Sequence, residues 1–189
     1  MKKIELVLKK NEEKILPVIW IDDDETEIHL AARLVGDGAK LTVLGLFFAT
    51  ENRAVVFTTD VMHEGKHTTS LTRIRGVFKN RSSFNNDGIV RIRKGAKNAN
   101  GFFDSKVLLF DDAKGRSVPS LEIDENEVKA GHASTIGRPD ALQLLYLRSR
   151  GLSEEEAESL IVTGFFDQIK RLLPEKERRA VEKKLGGSA

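Results

Sequence analysis

A short segment in the middle of the chain has the residue types and spacing of a zinc-hydrolase motif. His63, Glu64, Gly65, Lys66 and His67 follow the pattern H-E-x-x-H. On an α-helix, this pattern places two imidazoles on one face, where they bind a zinc ion, and it places a glutamate beside the metal-bound water. The segment therefore raises the hypothesis of a zinc-dependent hydrolase that uses His63, Glu64 and His67.

The residues around this motif favour strands over the helix that zinc binding would need. Residues 55–72 include eight β-branched residues, and Gly65 lies inside the motif. Both features disfavour a helix. An extended zinc-protease motif would also need glycine at position 70 and histidine at position 73, where this chain has Ser70 and Arg73. We therefore expect a turn between two strands here, and the hydrolase becomes the alternative hypothesis.

The length of the chain and its lack of cysteine limit the classes of function. With 189 residues, the chain is long enough to form one well-packed core. It has no cysteine, which excludes disulfides, thiolate nucleophiles and cysteine-ligated metal or iron–sulfur sites within this chain. Any chemistry therefore depends on other side chains or on groups from a partner.

The charge distribution predicts neither nucleic acid nor a membrane as a partner. The chain has 31 Lys and Arg residues against 29 Asp and Glu residues, without a long basic segment that would follow a phosphate backbone. The longest apolar run, 15–21, is too short for a membrane span, and the charged segment 1–10 differs from a signal peptide. We therefore expect a cytoplasmic protein.

Alternating apolar residues dominate the chain from residue 3 to about residue 135. In segments 4–8 and 28–34, every second residue is apolar, a pattern that is typical of strands. Clusters of Gly, Asn and Asp between such runs predict turns at 36–38, 85–88 and 111–112. This part of the chain is therefore predicted to be all β.

A weak internal repeat indicates a solenoid. An Ala-Lys step follows a turn residue at 38–40, 95–97 and 112–114, and these spacings fit a coil of about 17 to 19 residues. In a β-solenoid each coil stacks on its neighbours, and the alanine would lie at a tight internal corner. We therefore predict a mainly β fold with a β-solenoid body; a β-sandwich is the alternative.

The hydrophobic period changes to that of α-helices after residue 138. Pro139 and Asp140 predict the start of a first helix, which Gly151 ends. Ser153 and Glu156 have the spacing of a capping box, and the apolar residues that follow them recur at helical intervals. Two short helices are therefore expected directly after the β body.

A third helix, highly charged, is predicted to begin at Pro174 and to fray into residues 186–189. The order of the elements is thus a β body followed by a helical tail. We divide the chain into a β-helix core, 1–137, and a C-terminal helical domain, 138–189.

Several segments resemble a known family. Residues 121–151, LEIDENEVKAGHASTIGRPDALQLLYLRSRG, resemble the signature of the SufB/SufD family, the scaffold subunits of the Suf machinery that assembles iron–sulfur clusters. The resemblance covers roughly residues 67–173. The other matching segments are LSEEEAESLIVTGFFDQI (152–169), HTTS (67–70), GVF (76–78), GIVRI (88–92) and LLFDDAKGRSVPSLEI (108–123).

The resemblance implies a fold, a role and partners. It implies a right-handed parallel β-helix body and a small C-terminal helical domain that docks on an ABC-type ATPase subunit. It also implies a dimer, either a homodimer or a heterodimer with a cysteine-bearing SufB-like subunit. The function that follows from the resemblance is a non-catalytic scaffold or accessory subunit of an iron–sulfur cluster assembly complex.

The resemblance also singles out His132 as a candidate for iron or cluster transfer. Family members often have Cys-x-His in the matching segment 128–137, whereas this chain has Ala130 at the cysteine position. Gly131 and Ala133 replace the glutamates that SufB-type members place beside the histidine. A lone imidazole does not hold an iron–sulfur cluster. We therefore expect no stable cofactor on this chain alone, and transient iron or cluster only together with groups from another subunit.

Two interpretations of the role of His132 stay open. His132 is either a ligand or a structural histidine at the junction of the two domains. The acidic residues near it offer oxygen donors, but the sequence does not fix their geometry. These residues are Glu122, Asp124, Glu125 and Glu127.

The helical tail has more apolar surface than two short helices bury against each other, so part of it faces either the β body or a partner. Tyrosine and arginine often anchor interfaces. A tail that only caps the solenoid, in a plain oligomeric adaptor without a metal role, is the alternative. The predicted partner-binding residues are Tyr146, Leu147, Arg148, Arg150, Phe165 and Phe166.

Overall fold

The structure, a computed structural model, describes residues 1–185. Within these residues, ten β-strands are followed by three α-helices. The elements are β1 (Lys2–Leu8), β2 (Glu13–Ile21), β3 (Glu27–Leu34), β4 (Lys40–Ala49), β5 (Ala54–His63), β6 (Thr69–Phe78), β7 (Ser83–Ile92), β8 (Asn100–Leu109), β9 (Lys114–Ile123), β10 (Lys129–Gly137), α1 (Ala141–Ser149), α2 (Glu154–Lys170) and α3 (Glu175–Leu185).

The strands form two parallel five-stranded sheets. Sheet A has the order β1-β3-β5-β7-β9, and sheet B has the order β10-β8-β6-β4-β2. Successive strands alternate between the sheets, so the chain winds through about five coils of two strands each. The predicted β-solenoid body with C-terminal helices is therefore confirmed.

The predicted length of a coil was wrong. Lys40 pairs with Thr69, and Thr69 pairs with Asn100, so that one coil takes up about 30 residues instead of 17 to 19. The spacing of the three Ala-Lys steps does not equal the length of a coil, because the steps occur at more than one type of corner. Two of them precede strands β4 and β9, and the third lies inside the longer connection between β7 and β8.

The alanines of these steps do lie at buried corners. Ala39, Ala96 and Ala113 are buried, and each backbone N–H donates to the carbonyl oxygen three residues earlier. The predicted turns at 36–38 and 111–112 are also present. A larger side chain at these positions would extend into the space between the sheets.

The turn predicted at 85–88 was wrong, because these residues belong to β7. Asn86 is a buried residue of this strand, and its amide Nδ2 donates to the hydroxyl of Ser105 over 3.2 Å. Gly88 leaves space for the ring of Phe103, which a Cβ at this position would contact at 2.1 Å. Residue types that usually signal a turn therefore serve packing inside the solenoid.

The main core lies between the two sheets. Alternate residues of β3 are buried, as expected for strands with one face inward. Phenylalanine rings from three successive coils meet in this core: Phe47 lies 5.0 Å from Phe57 and 5.1 Å from Phe84, and Phe78 stacks on Phe84 at 5.0 Å between ring centroids. These rings join neighbouring coils through the centre of the solenoid.

The helix-start and helix-stop predictions are confirmed for α1 and α2. The carboxylate of Asp140 accepts from the N–H of Leu142 at the start of α1, and Gly151 follows its end with a φ of 97°. Ser153 and Glu156 form the predicted capping box. The predicted fraying of 186–189 concerns residues outside the described part of the chain.

The helices pack on the outer face of sheet B, mainly through α2 and α3. None of the helices in the described residues is sufficiently long and apolar to span a membrane. A second apolar cluster joins the helices to the sheet. Its buried members are Ile21, Leu44, Leu46, Phe48, Val77, Phe110, Phe166, Ile169, Leu173 and Val181.

Candidate functional site

The solenoid is open at its C-terminal end. Within the described residues, β9 pairs only with β7, and β10 pairs only with β8. Leu121 and Ile123 lie opposite the buried residues Val90 and Ile92 in the sheet A register, which places them on the inward face. They are nevertheless 36% and 43% exposed, because no further coil covers them.

His132 lies at this open end. It is the fourth residue of β10, opposite the buried Phe103 of β8, so that it belongs to an inward-facing position of sheet B. His132 is nevertheless exposed. No hydrogen bond to its imidazole occurs among residues 1–185. The ring is therefore accessible to a molecule that approaches the end of the solenoid.

The acidic residues near His132 are engaged with the preceding coil. Glu122 accepts hydrogen bonds from Arg91 and, over 3.2 Å, from Arg93. Asp124 accepts from the same Arg93 over 3.3 Å. These carboxylates thus form an ion-pair network on the outside of sheet A.

Glu125 and Glu127 have partners at the corner between β9 and β10. The backbone N–H groups of Gly95 and Asn126 each donate to Glu125 over 2.9 Å, and these hydrogen bonds lower the pKa of its carboxyl. Glu127 accepts from Lys97 over 2.7 Å. Within the described residues, no group of three or more His, Cys, Asp or Glu side chains is arranged to hold a metal ion.

The H-E-x-x-H segment forms a turn between β5 and β6, as predicted from its flanks. His63 ends β5, and His67 lies in the turn with a φ of 56°. Glu64 accepts two hydrogen bonds from Arg33, of 2.7 and 3.0 Å, and this partner lowers its pKa. Zinc ligation by these residues requires a helix, and the described segment 63–67 does not form one. The geometry therefore does not support the hydrolase hypothesis.

His63 is a core residue whose two ring nitrogens both have partners. Thr68 donates its hydroxyl proton to the carbonyl oxygen of Gly65 over 3.1 Å, so its oxygen accepts from Nδ1 of His63 at 2.8 Å. Nε2 then accepts from the hydroxyl of Ser70 at 2.7 Å. Burial lowers the pKa of His63 to about 4. The imidazole is therefore neutral at pH 7 and structural.

A broad groove of about 580 Å³ crosses the outer face of sheet A. His29 lies in it, with Nδ1 at 2.6 Å from the hydroxyl of Thr58. Among the charged residues that line it, Arg116 donates to Asp87 over 2.7 Å. The pairing of Arg116 with Asp87 has no local sequence signal, because the two residues are about one coil, or ~30 residues, apart.

Phe166 anchors α2 to sheet B. Its side chain is fully buried, and its ring meets that of Phe48 edge-on at 6.5 Å. Lys79 at the end of β6 also donates to Glu158 of α2 over 3.0 Å. Phe165 is half-buried beside this cluster. The sequence-based assignment of Phe166 to a partner surface is therefore replaced by a role in the protein's own core.

The opposite side of α1 and α2 exposes large apolar side chains. Leu142, Leu145 and Tyr146 of α1 are 73%, 64% and 58% exposed, and Leu160 of α2 is 51% exposed. Leu142, Tyr146 and Leu160 line a groove of about 430 Å³ between the two helices, to which Leu147 also contributes. We call this groove and its rim the helical apolar surface.

Arginine side chains border the helical apolar surface. The guanidinium of Arg150 lies 5.3 Å from the centre of the Tyr146 ring, a cation–π arrangement. Arg148 forms an ion pair of 3.4 Å with Glu154 at the start of α2. Of the predicted partner-binding residues, Tyr146 and Leu147 thus line this surface, and Arg150 lies beside Tyr146.

The sequence matches a family profile and several named proteins. Residues 18–165 match the profile described as "SUF system FeS cluster assembly, SufBD core domain". The chain is 40% identical over 159 residues to the iron-sulfur cluster assembly protein SufD of Bacillus subtilis. This alignment covers 82% of this chain and 36% of the relative.

Two proteins of Mycobacterium tuberculosis named as iron-sulfur cluster assembly SufBD family proteins also match. One is 35% identical over 172 residues, covering 85% of this chain and 43% of the relative. The other is 31% identical over 160 residues, covering 82% and 19%, respectively. The chain thus spans less than half the length of each of these relatives.

Proposed function

The chain belongs to the SufB/SufD family, and we propose that it works as a non-catalytic accessory subunit of an iron–sulfur cluster assembly complex. In this role it binds the ABC-type ATPase subunit of the complex through its C-terminal helices. Its solenoid joins a second β-solenoid subunit at the open end. Iron or a nascent cluster is the cargo of the complex and not a resident cofactor of this chain.

The helical apolar surface is the observation that carries this proposal. Exposed leucine and tyrosine side chains on two adjacent helices form a groove with an arginine rim. This composition is typical of protein interfaces, where aromatic and arginine residues contribute most of the binding energy. The other side of α2 is already covered by sheet B through Phe166 and Ile169. The exposed side is therefore available for the ATPase.

The position of His132 supports the second part of the proposal. An exposed imidazole at the open end of the solenoid lies where another subunit would meet it. Because the chain has no cysteine, the thiolates that an iron–sulfur cluster needs would come from that other subunit. His132 would then contribute one nitrogen ligand to a site that this chain does not form by itself.

We expect Tyr146→Ala to abolish copurification of the chain with the Suf ATPase, because it removes the aromatic side chain at the groove and the partner of Arg150. Truncation of a central aromatic anchor costs 2 kcal/mol or more, which corresponds to an affinity about 30-fold weaker or worse. Affinity measured by isothermal calorimetry on the full chain tests this expectation.

Leu172→Ala is the matched control, because Leu172 is also an exposed apolar residue of the tail at 43% but does not line the groove. We expect the control to retain ATPase binding. Equal losses in both variants, with far-ultraviolet circular dichroism unchanged, would contradict docking at this groove. Failure of the unmodified chain to bind the ATPase would favour the plain adaptor instead.

A further inference from the structure

The helices cover only part of the outer face of sheet B. Leu46, Phe48 and Val77, which lie toward the C-terminal ends of their strands, belong to the buried cluster that joins the sheet to α2 and α3. Toward the N-terminal ends of the strands, Ile15 and Phe102 are exposed. Residues 1–185 therefore leave this part of the face uncovered.

Apolar side chains form a row across the uncovered part. Ile15 pairs with Thr42, Thr42 with Leu71, and Leu71 with Phe102 in the parallel register. Basic residues occupy the next outward positions on both sides of this row. We call this surface the sheet B band and define it by Ile15, Leu71 and Phe102 with Lys40, Arg73 and Lys129.

The outward positions of sheet B carry an excess of positive charge. By contrast, the three outward arginines of sheet A, Arg33, Arg91 and Arg116, each donate to a carboxylate of their own. The excess on sheet B is therefore not a general property of the solenoid surface. The charged outward residues of sheet B are Lys40, Arg73, Arg75, Lys106 and Lys129 against Glu13 and Asp104.

Two of these arginines share a single carboxylate. Nε of Arg73 and Nη2 of Arg75 both donate to Oδ2 of Asp104 over 2.9 Å. Burial alone would raise the pKa of Asp104, but the hydrogen bonds from Arg75 and Arg73 outweigh it and hold this pKa below its ordinary value. The cluster thus keeps one positive charge in excess at neutral pH. Arg73 is partly exposed, and its Nη groups donate to no acceptor within residues 1–185.

We propose that the sheet B band binds an amphipathic helix of a partner protein, in which acidic residues border the apolar side. Apolar side chains of this helix would contact Leu71 and Phe102, and its carboxylates would pair with Lys129 and Arg73 on the two borders. Aromatic and arginine residues contribute strongly to binding, and complementary charges fix the register. The inference goes beyond the proposed function and does not depend on ATPase docking.

The dimensions of the band fit one helix. Successive outward residues of a strand lie ~6.6 Å apart, so the three outward positions from Lys40 or Lys129 to the level of Arg73 span ~13 Å. A helix with its side chains is about 10–12 Å wide. The strands of the sheet, at ~4.8 Å intervals, extend over ~19 Å, which is the length of ~13 helical residues. The same face already accommodates α2 through Phe166 and Ile169.

A designed peptide tests the proposal. The probe is a fluorescently labelled helical peptide of ~14 residues with a leucine stripe between glutamates, and the control peptide has glutamine in place of each glutamate. Binding to the full chain is measured by fluorescence anisotropy. We expect the acidic peptide to bind at least ~10-fold more tightly than the control at low salt, and this ratio to fall as salt screens the charges.

Matched variants locate the binding site. Phe102→Ala removes the exposed ring of the band, and Val118→Ala shortens a similarly exposed apolar residue of sheet A. Lys129→Glu reverses a charge at the border of the band, and Lys3→Glu makes the same change in charge on sheet A. We expect the first variant of each pair to weaken binding of the acidic peptide ~10-fold or more, and the second to stay within ~2-fold of the unmodified chain. Far-ultraviolet circular dichroism checks that all four variants fold.

Equal binding of the two peptides, no binding of either, or equal losses within a pair of variants would overturn the proposal. Loss of binding in Tyr146→Ala but not in Phe102→Ala would also overturn it, because the peptide would then lie on the helical apolar surface. Cosedimentation with phosphatidylglycerol vesicles without peptide binding would identify an anionic membrane as the partner instead. If the peptide fails to bind while the Suf ATPase still binds, only this inference fails and the proposed function remains.

Discussion

Substitution of Phe84 by alanine is expected to lower the free energy of unfolding by about 3–5 kcal/mol. Phe84 is fully buried in β7, and its ring lies 5.1 Å from Phe47 and 5.0 Å from Phe78. The substitution therefore leaves a cavity and removes the ring contacts that join the fourth coil to the second and third coils. In a solenoid, stability depends on such contacts between adjacent coils.

Urea denaturation followed by circular dichroism measures this effect. Phe102→Ala is the matched control, because Phe102 is an outward-facing phenylalanine with 41% exposure in β8, the other strand of the same coil. The control should lose less than about 1 kcal/mol. Similar losses in both variants would contradict the view that the interior ring stack determines the stability of the solenoid.

The second large effect concerns pH and depends on His63. In the unfolded chain a histidine has a pKa of ~6.5, whereas in the folded protein burial lowers the pKa of His63 to about 4. Between these values the unfolded state binds more protons than the folded state, so the free energy of unfolding decreases as the pH falls. The loss begins near pH 6.5 and reaches ~3 kcal/mol near pH 4.

The window from pH 6.5 to pH 5 isolates this contribution, because unfolded carboxyl groups titrate mostly below it. We expect a loss of ~2 kcal/mol in this window, measured by urea denaturation at each pH. His63→Gln removes the titrating group and should abolish most of this dependence, although the variant will be less stable at pH 7. An unchanged slope in His63→Gln would show that another group is responsible.

Local sequence patterns predicted the types of element well. Alternation predicted strands such as β3, and the spacing of Ser153 and Glu156 predicted the start of α2. The rejection of a helix at Gly65 was also correct, because β-branched residues on both sides extend into β5 and β6. All of these features depend on interactions within a few residues of the chain.

The coil length and the role of Phe166 depend on distant residues and were predicted wrongly. Strand partners such as Lys40 and Thr69 carry no sequence signal that distinguishes them from other alternating residues. Likewise, the helical period places Phe166 on an apolar face without indicating whether sheet B or a partner covers it. Oppositely charged residues about one coil apart, such as Arg33 and Glu64, form ion pairs between coils. This pattern can be recognised in the sequence only when the number of residues per coil is known.

The regular winding of the chain also has a consequence for how it folds. Every strand pairs with strands about one coil away, so the contacts span similar and modest separations, and folding can spread coil by coil from the phenylalanine-rich centre. Within residues 1–185 the first and the final coil each have a neighbouring coil on one side only, so we expect these two coils to open before the central ones. A subunit that attaches at the open C-terminal end would therefore bind the completed final coil, and assembly of the complex would itself act as the final step of folding.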